Sequence, residues 1–328
     1  MSHPRRVVVV GAGLSGLLAA RDLTRRGLDV VVLDKGRGVG GRLATRRIGT
    51  DPVAVFDHGA QFFTVRSAEF DSIVSEWIDG GLVREWCRGF GDDDGHPRYV
   101  AVHGMASIAK HLAHGLDVRT DTLVFAIRRG ESSTVDVVLD DASVVSADAV
   151  IVTCPLPQSY SLLVSAEVDL PEALLGTEYD RTLALLAVLD RPVSIGRHGG
   201  LQNPTAAFSW IGDNQAKGVS SVPAITFHAS PAWSLEHWDD EHDLAHAALI
   251  ESARVFLDDA RIVTSEFKRW RFATPKTLWP EPCHVVQMNR DSGMIVLAGD
   301  AFAGPKVEGA ALSGRAAASR VAEALAAN

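Results

Sequence analysis

Apolar and polar positions along this chain fall into two rhythms, and their alternation predicts its elements. Residues 7–10 are four consecutive valines. A short β-branched run of this kind predicts a strand buried on both faces. From 14 to 26 the apolar positions recur at helical spacing until Gly27, and 30–33 form a second apolar run. Strand, helix and strand thus open the chain as a βαβ unit. Helical spacing returns over 67–80, with Phe70, Ile73, Val74 and Trp77 on one face, and over 105–114. Residues 118–120 predict a short strand. The runs 123–128 and 135–139 predict a hairpin around Gly130-Glu131-Ser132-Ser133, followed by strands at 143–145 and 149–153. Gly89 to Pro97, with its three aspartates, reads as a loop. Further strands are expected at 182–189, 206–211, 223–229 and 295–298. Helices are expected over 241–257, with an acidic face, and over 309–325, which is rich in alanine.

The turn after the first strand carries Gly11, Gly13 and Gly16. In a strand–turn–helix context this spacing has a mechanical reading. Gly11 permits the tight turn, Gly13 lets the backbone approach a pyrophosphate, and Gly16 lets the helix pack against the strand. The amides at the helix start, around Leu14 and Ser15, then face the diphosphate. Asp34 ends the second strand 23 positions after Gly11, where a carboxylate accepts hydrogen bonds from a ribose. Lys35 and Arg37 leave open a 2′-phosphate, against which the Asp34 charge argues. The motif alone does not choose between a nicotinamide dinucleotide and FAD.

Length and composition set bounds. At 328 residues the chain can bury a large core, and two domains are expected. A net charge of −9 offers no basic footprint for nucleic acid. Three widely spaced cysteines, Cys87, Cys154 and Cys283, form no C-x-x-C and no even disulfide framework, which fits a reducing cytoplasm. No apolar run reaches the length of a membrane span, and the only stretch resembling a signal segment is already the first strand and turn.

Two distant segments sharpen the picture. Gly40-Gly41-Arg42 offers close backbone access plus a guanidinium for phosphates. Ala298-Gly299-Asp300, followed by Val307-Glu308-Gly309-Ala310, is a strand ending in Gly-Asp and then a helix. Such a helix start can point its partial positive charge at a flavin's N1–C2=O edge, where charge gathers on reduction.

With these in place the chain resembles the renalase family, within the amine-oxidase-like FAD superfamily. The segments that carry the resemblance are DKGRGVGGR (34–42), FDHGAQFFTVR (56–66), YVAVHGMASIAKHLA (99–113), VIVTCPLPQ (150–158), FHASPAWS (227–234), KRWRFATP (268–275) and LAGDAFAGPKVEGAALSG (297–314). They run the length of the chain in the family's order. The resemblance implies an α/β fold: a discontinuous Rossmann-like FAD-binding domain over 1–75, 104–157 and 284–328, and an α+β substrate domain on a mixed or antiparallel sheet over 76–103 and 158–283. It implies noncovalent FAD, since 301–306 lacks the cysteine of covalently flavinylated relatives. The implied cofactor contacts are Gly11, Gly13, Leu14, Ser15, Gly16, Asp34, Lys35, Gly41, Arg42, His58, Gly59, Ala60, Gln61, Phe62, Val124, Thr153, Gly299, Asp300, Val307, Glu308, Gly309 and Ala310. The implied activity is oxidation of 2- or 6-dihydro isomers of NAD(P)H, with oxygen reduced to hydrogen peroxide. The small-molecule substrate and oxygen are then the only partners expected.

On the substrate side, Gln61 could orient a carboxamide, His228 lies on an apolar strand, and Trp210 and Trp270 could wall a slot. Arg271 is either a phosphate partner or a solvated side chain. Hydride transfer from a dihydropyridine releases no proton, so positioning and electrostatics should dominate and no general base is assigned. His242 and His246 stand at i, i+4 among acidic neighbours. The glutamate a metalloprotease needs after the first histidine is missing, so no metal is expected. An FAD-dependent amine oxidase and a non-catalytic FAD-binding regulator remain as alternatives.

Overall fold

The computed structural model describes residues 5–91, 95–131, 133–286, 293–302, 304 and 306–327. In chain order, β1 (Arg6–Val10), α1 (Leu14–Arg25) and β2 (Asp29–Leu33) make the expected βαβ unit. The hairpin β3 (Thr45–Ile48) and β4 (Ala54–Asp57) follows, then α2 (Ala68–Asp79) and the hairpin β5 (Val83–Cys87) and β6 (Arg98–Ala101). Next come α3 (Ala106–Ala113), β7 (Asp117–Arg119), β8 (Val124–Arg129), β9 (Val135–Leu139), β10 (Val144–Ala147), β11 (Ala149–Val152), α4 (Leu156–Leu163) and α5 (Glu172–Leu175). The remainder comprises β12 (Tyr179–Leu189), β13 (Gly200–Gln202), β14 (Phe208–Asp213), β15 (Ala224–Ala229), α6 (Pro231–Glu236), α7 (His242–Ala253), β16 (Ile262–Pro275), β17 (His284–Val286), β18 (Met294–Leu297) and α8 (Lys306–Ala326).

A six-stranded sheet, ordered β17-β18-β11-β1-β2-β7, is parallel except for its edge strand β17. The uninterrupted valines of β1 have a direct cause. Val7 and Val9 enter one core beneath α1 and α8, while Val8 and Val10 enter another beneath β8–β10 and α4. Each fully buried valine contributes on the order of 1.5 kcal/mol or more. Helix α8 lies on α1 where Gly314 meets Ser15: a Cβ on Gly314 would stand 2.1 Å from the Ser15 carbonyl oxygen. Segments from both ends of the chain therefore build this half together.

A second sheet, ordered β13-β14-β15-β12-β16, is wholly antiparallel. Its strands alternate. Leu183, Leu185, Ile211, Ile225, Phe227 and Phe267 face α7, while Trp210, Thr226, His228 and Trp270 reach the segment from Asp57 to Gln61. The long edge strand β16 escapes a sequence reading because charges interleave its apolar positions, as an edge strand with a polar face requires.

The structure moves several expected limits. The division at 75/76 falls inside α2, whose Trp77 shares a core with Phe70, and the division at 157/158 falls inside α4, whose Leu163 packs in the dinucleotide half. The helix expected over 241–257 ends at Ala253 and continues as a 3-10 turn. The hairpin β8–β9 forms as expected, although Ser132 of its turn lies outside the described residues, as do residues 92–94 of the 89–97 loop. Among the described residues, no helix is long and apolar enough to cross a membrane.

Candidate flavin site

The glycine turn is held from three sides. Gly11 has a φ of +108°, donates its N–H to the Leu33 carbonyl at 2.8 Å, and would place a Cβ 2.6 Å from Thr153 Oγ1. Thr153 in turn donates to the carbonyl of Val10 at 3.0 Å. A Cβ on Gly16 would lie 2.0 Å from the Gly11 carbonyl oxygen, so only glycine lets α1 start this close to β1. Gly13 differs, because a Cβ there meets nothing within 4 Å. It is also the N-cap of α1 and supplies no capping side chain, and Ser15 Oγ beside it is buried without a partner. Open space, uncapped helix amides and an orphaned hydroxyl together fit a pyrophosphate.

Asp34 braces this turn. Its two oxygens accept the N–H of Ala12 at 2.6 Å and of Gly36 at 2.7 Å, leaving further lone pairs for a ribose hydroxyl. Lys35 is exposed next to it, and the Val124 side chain is buried in the core that holds Leu33. Gly40 donates to the Ala12 carbonyl at 2.8 Å, which brings Gly41 and Arg42 against the turn.

Arg42 is engaged by the protein itself. Its guanidinium grips Asp300 at 2.6 and 2.7 Å and also donates to the carbonyls of Phe272 and Ala273 on β16. It therefore ties the first glycine segment to the Gly299-Asp300 turn and to the second sheet. Gly299, at a φ of +141°, donates to Ser313 Oγ at 2.9 Å. The Glu308 carboxylate accepts the N–H groups of Arg66 at 3.0 Å and Ser67 at 2.8 Å, at the start of α2. Its side chain organises a neighbouring helix, while buried Val307 and Gly309 and half-buried Ala310 form the start of α8 beside it. Gly309 sits so close to Gly304 that a Cβ would overlap the Gly304 carbonyl.

The turn His58-Gly59-Ala60-Gln61-Phe62 runs under the antiparallel sheet, carries Gln61 and meets His228, Trp210 and Trp270. A Cβ on Gly59 would lie 2.1 Å from the Arg42 carbonyl oxygen, which instead accepts the Ala60 N–H at 2.8 Å. The His58 carbonyl oxygen receives His228 Nε2 at 3.0 Å and the Trp270 indole N–H at 2.9 Å. That contact makes Nε2 the protonated nitrogen of His228. Gln61 is buried. Its amide donates to the Asp57 carbonyl at 2.6 Å, and its Oε1 accepts the Trp210 indole N–H at 3.2 Å. Trp210 lies across Gly212 and Gly200, where any Cβ would stand 2.7 Å from its ring, and it packs against Phe90, Phe62 and Trp86. Burial pushes the pKa of His58 down to about 4, helped by His228 and Lys268; burial also pushes His228 down to about 4, against its bond to His58. Both rings are neutral at physiological pH.

Residues 70–322 match the flavin containing amine oxidoreductase family, and residues 9–77 match an NAD(P)-binding Rossmann-like domain. The chain belongs to the flavin-containing amine oxidoreductase family. Renalase of Mus musculus is 30% identical over 168 residues, which cover 48% of this chain and 49% of that protein. The match thus spans about half the length of that curated relative. Among solved structures, putrescine oxidase bound to putrescine superposes with a TM-score of 0.70 at 17% identity, covering 98% of this chain and 99% of the other. A fatty acid isomerase from P. acnes gives a TM-score of 0.68 at 12% identity over the same shares. At these identities the likeness is one of fold.

As a member of this flavin family the chain is an FAD-dependent oxidoreductase, and the cradle around Gly13, Ser15 and Asp34 fits that cofactor. Beside the His58–Phe62 turn stand residues that sequence reasoning missed. Asp57 and Lys217, both fully buried, form an ion pair at 3.0 Å, and Asn214 Oδ1 accepts the Asp57 N–H at 3.1 Å. Trp86 and Phe90 complete the aromatic cluster. A lone lysine in a polar loop gives no sequence signal for burial. Other candidates lie elsewhere. Arg271 is exposed, in the irregular stretch of the β12–β16 ladder. His242 and His246 contact Asp243, Ser265 and Phe267, on the sheet face away from His58. Among the described residues, no group of three His, Cys, Asp or Glu is placed to hold a metal.

Proposed function

We propose that this protein oxidises 2- or 6-dihydro isomers of NAD(P)H to NAD(P)⁺. The cradle of Gly13, Ser15 and Asp34 would hold FAD noncovalently, and the bound cofactor would supply hydride acceptance and reoxidation by oxygen, with hydrogen peroxide as coproduct. The observation that carries the reading is electrostatic: the groups around the His58–Phe62 turn suit a neutral hydride donor and oppose an ammonium ion. The aromatic cluster already has cations from the protein itself, with Lys217 Nζ 5.7 Å from the Trp86 ring and Arg98 Cζ 5.9 Å from the Phe90 ring. The buried Asp57 carboxylate beside the turn is neutralised by Lys217. With pKa values of about 4, His58 and His228 are weak bases for an alkylammonium whose pKa is roughly 10. A dihydropyridine asks for no such base, only for orientation in a site of fixed dipoles. Noncovalent retention is supported by the absence of cysteine from 301–306 and by Cys154, whose thiol burial pushes up to about 11.

Anaerobic titration of the purified flavoprotein tests the proposal. Isomer-containing NAD(P)H should bleach the flavin within seconds, and simple amines should leave it oxidised. Bleaching by amines alone would replace the reading with amine oxidation. An FAD-loaded protein reduced by neither set would point to a non-catalytic regulator.

A further inference from the structure

Lys217 stands out among the charged groups. It is 1% exposed, at the tip of the loop between β14 and β15, and its ammonium reaches Asp57 at the end of β4 and the Gln61 carbonyl beyond it. Its ammonium is 3.0 Å from Asp57 Oδ2 and donates to the Gln61 carbonyl oxygen at 3.2 Å. The other Asp57 oxygen accepts Thr45 Oγ1–H and the Met105 N–H, each at 2.7 Å. Asp57 is thus anchored to the dinucleotide half. The Lys217 loop is anchored to the second sheet: Asn214 Nδ2 donates to Ala224 O and Thr226 Oγ1 at 3.0 Å, and Lys217 N donates to Asp213 O at 2.9 Å. Asn214 and Thr226 also bond the Asp57 backbone across this junction, and the Lys217 ammonium is the group that reaches both the Asp57 carboxylate and the Gln61 carbonyl.

Charge balance for Asp57 would need only the ion pair. The second contact is directional and reaches the residue whose side chain holds Trp210. The Gln61 backbone is gripped at its carbonyl by Lys217, while the Gln61 amide is gripped by Asp57 O and Gly59 O. With these atoms fixed, Gln61 Oε1 has one place to meet the Trp210 indole.

We infer that Lys217 is a positioning residue: through the Gln61 carbonyl it fixes how the His58–Phe62 turn and Trp210 sit beside the cofactor, a role separate from neutralising Asp57. The inference rests on the proposed placement of that turn at the flavin, and not on the identity of the substrate. Removing a donor of this kind shifts a reacting group by a fraction of an ångström to an ångström, which lowers turnover by about 10- to 100-fold.

Two variants separate positioning from charge balance. Asp57→Asn with Lys217→Met removes both charges together, and Lys217→Arg keeps the charge but moves the donor. Each is measured as FAD-loaded protein by thermal unfolding, visible flavin absorbance and kcat and KM with a dihydronicotinamide, and as apoprotein by tryptophan emission. The expected result, in whichever variant folds, is retained FAD, a shifted flavin spectrum, a changed emission from Trp86 and Trp210, and a fall in kcat of about 10- to 100-fold with KM within about threefold. Native spectra and native kcat in a folded variant overturn the inference and leave Lys217 as a structural counter-ion. If the wild type is reduced by no dihydronicotinamide, the substrate reading fails, while the flavin and tryptophan spectra still decide the role of Lys217.

Discussion

Arg42 and Asp300, 258 positions apart in sequence, meet in a two-pronged ion pair at 2.6 and 2.7 Å. The same guanidinium bonds two carbonyls of β16, so one side chain joins three segments around the flavin cradle. Arg42→Met should leave the largely buried Asp300 carboxylate uncompensated. Because the Arg42 side chain is 30% exposed, the loss is set at about 2 kcal/mol, below the range for a fully buried pair. Thermal unfolding should drop by several degrees, and FAD content read at the visible flavin band should fall. An unchanged FAD stoichiometry would remove Arg42 from the cradle.

Two glycines of the same motif should fail in different ways. Gly13→Val puts its side chain into open space, so the apoprotein should fold with native stability yet lose FAD to steric exclusion of the pyrophosphate. Gly16→Val drives a Cβ into the Gly11 carbonyl and should destabilise the apoprotein itself. Circular dichroism melts of both apoproteins, paired with FAD binding, separate the two outcomes. Full FAD occupancy in Gly13→Val would relocate the site.

His58 and His228 give a signed pH dependence. Both have folded-state pKa values lowered from 6.5 to about 4, so the unfolded chain binds more protons between those limits. Their contribution to stability is complete above pH 6.5 and is lost as pH falls toward 4, by a few kcal/mol for the interacting pair. Urea midpoints measured from pH 7.5 down to 4.5 should decline, and His228→Gln should flatten part of that slope. A variant with the full wild-type slope would contradict the assignment.

Gly212→Ala tests the seat of Trp210. The new methyl would stand 2.7 Å from Trp210 Nε1 and 3.1 Å from Gln61 Oε1, so the indole and the carboxamide must part. FAD binding should persist, because the cradle lies elsewhere, while kcat with a dihydronicotinamide falls at least about tenfold. Native turnover in this variant would show that the Trp210–Gln61 contact is incidental.

Much of the dinucleotide half was legible because its constraints are local. Four valines report burial on both faces, and three glycines report backbone proximity that a side chain would block. The second sheet was less so: β16 alternates charge with aromatic residues, and only its partner β12 shows that this is an edge strand. Gln61, Trp210, His228 and Trp270 could be picked out as individuals, yet the meeting of His228 and Trp270 at the His58 carbonyl, and of Trp210 with Gln61, depends on strand register, which sets Trp210 beside His228 and Thr182 beside Trp270. The side-chain partners of Glu308 were not legible, because they sit 241 and 242 positions earlier in the chain. Lys217 was silent, since burial of a lysine is decided entirely by a carboxylate 160 positions away.

The seam between α1 and α8 has a consequence for synthesis. The ribosome releases the glycine turn early, but Gly314 must emerge before anything covers the outer face of Ser15. Until then β1 lacks the shelter of α8, and Arg42 lacks its acidic mate. A nascent chain paused in its middle third would therefore leave the core around Val7 and Val9 without its α8 side, and FAD capture is expected to follow the emergence of α8.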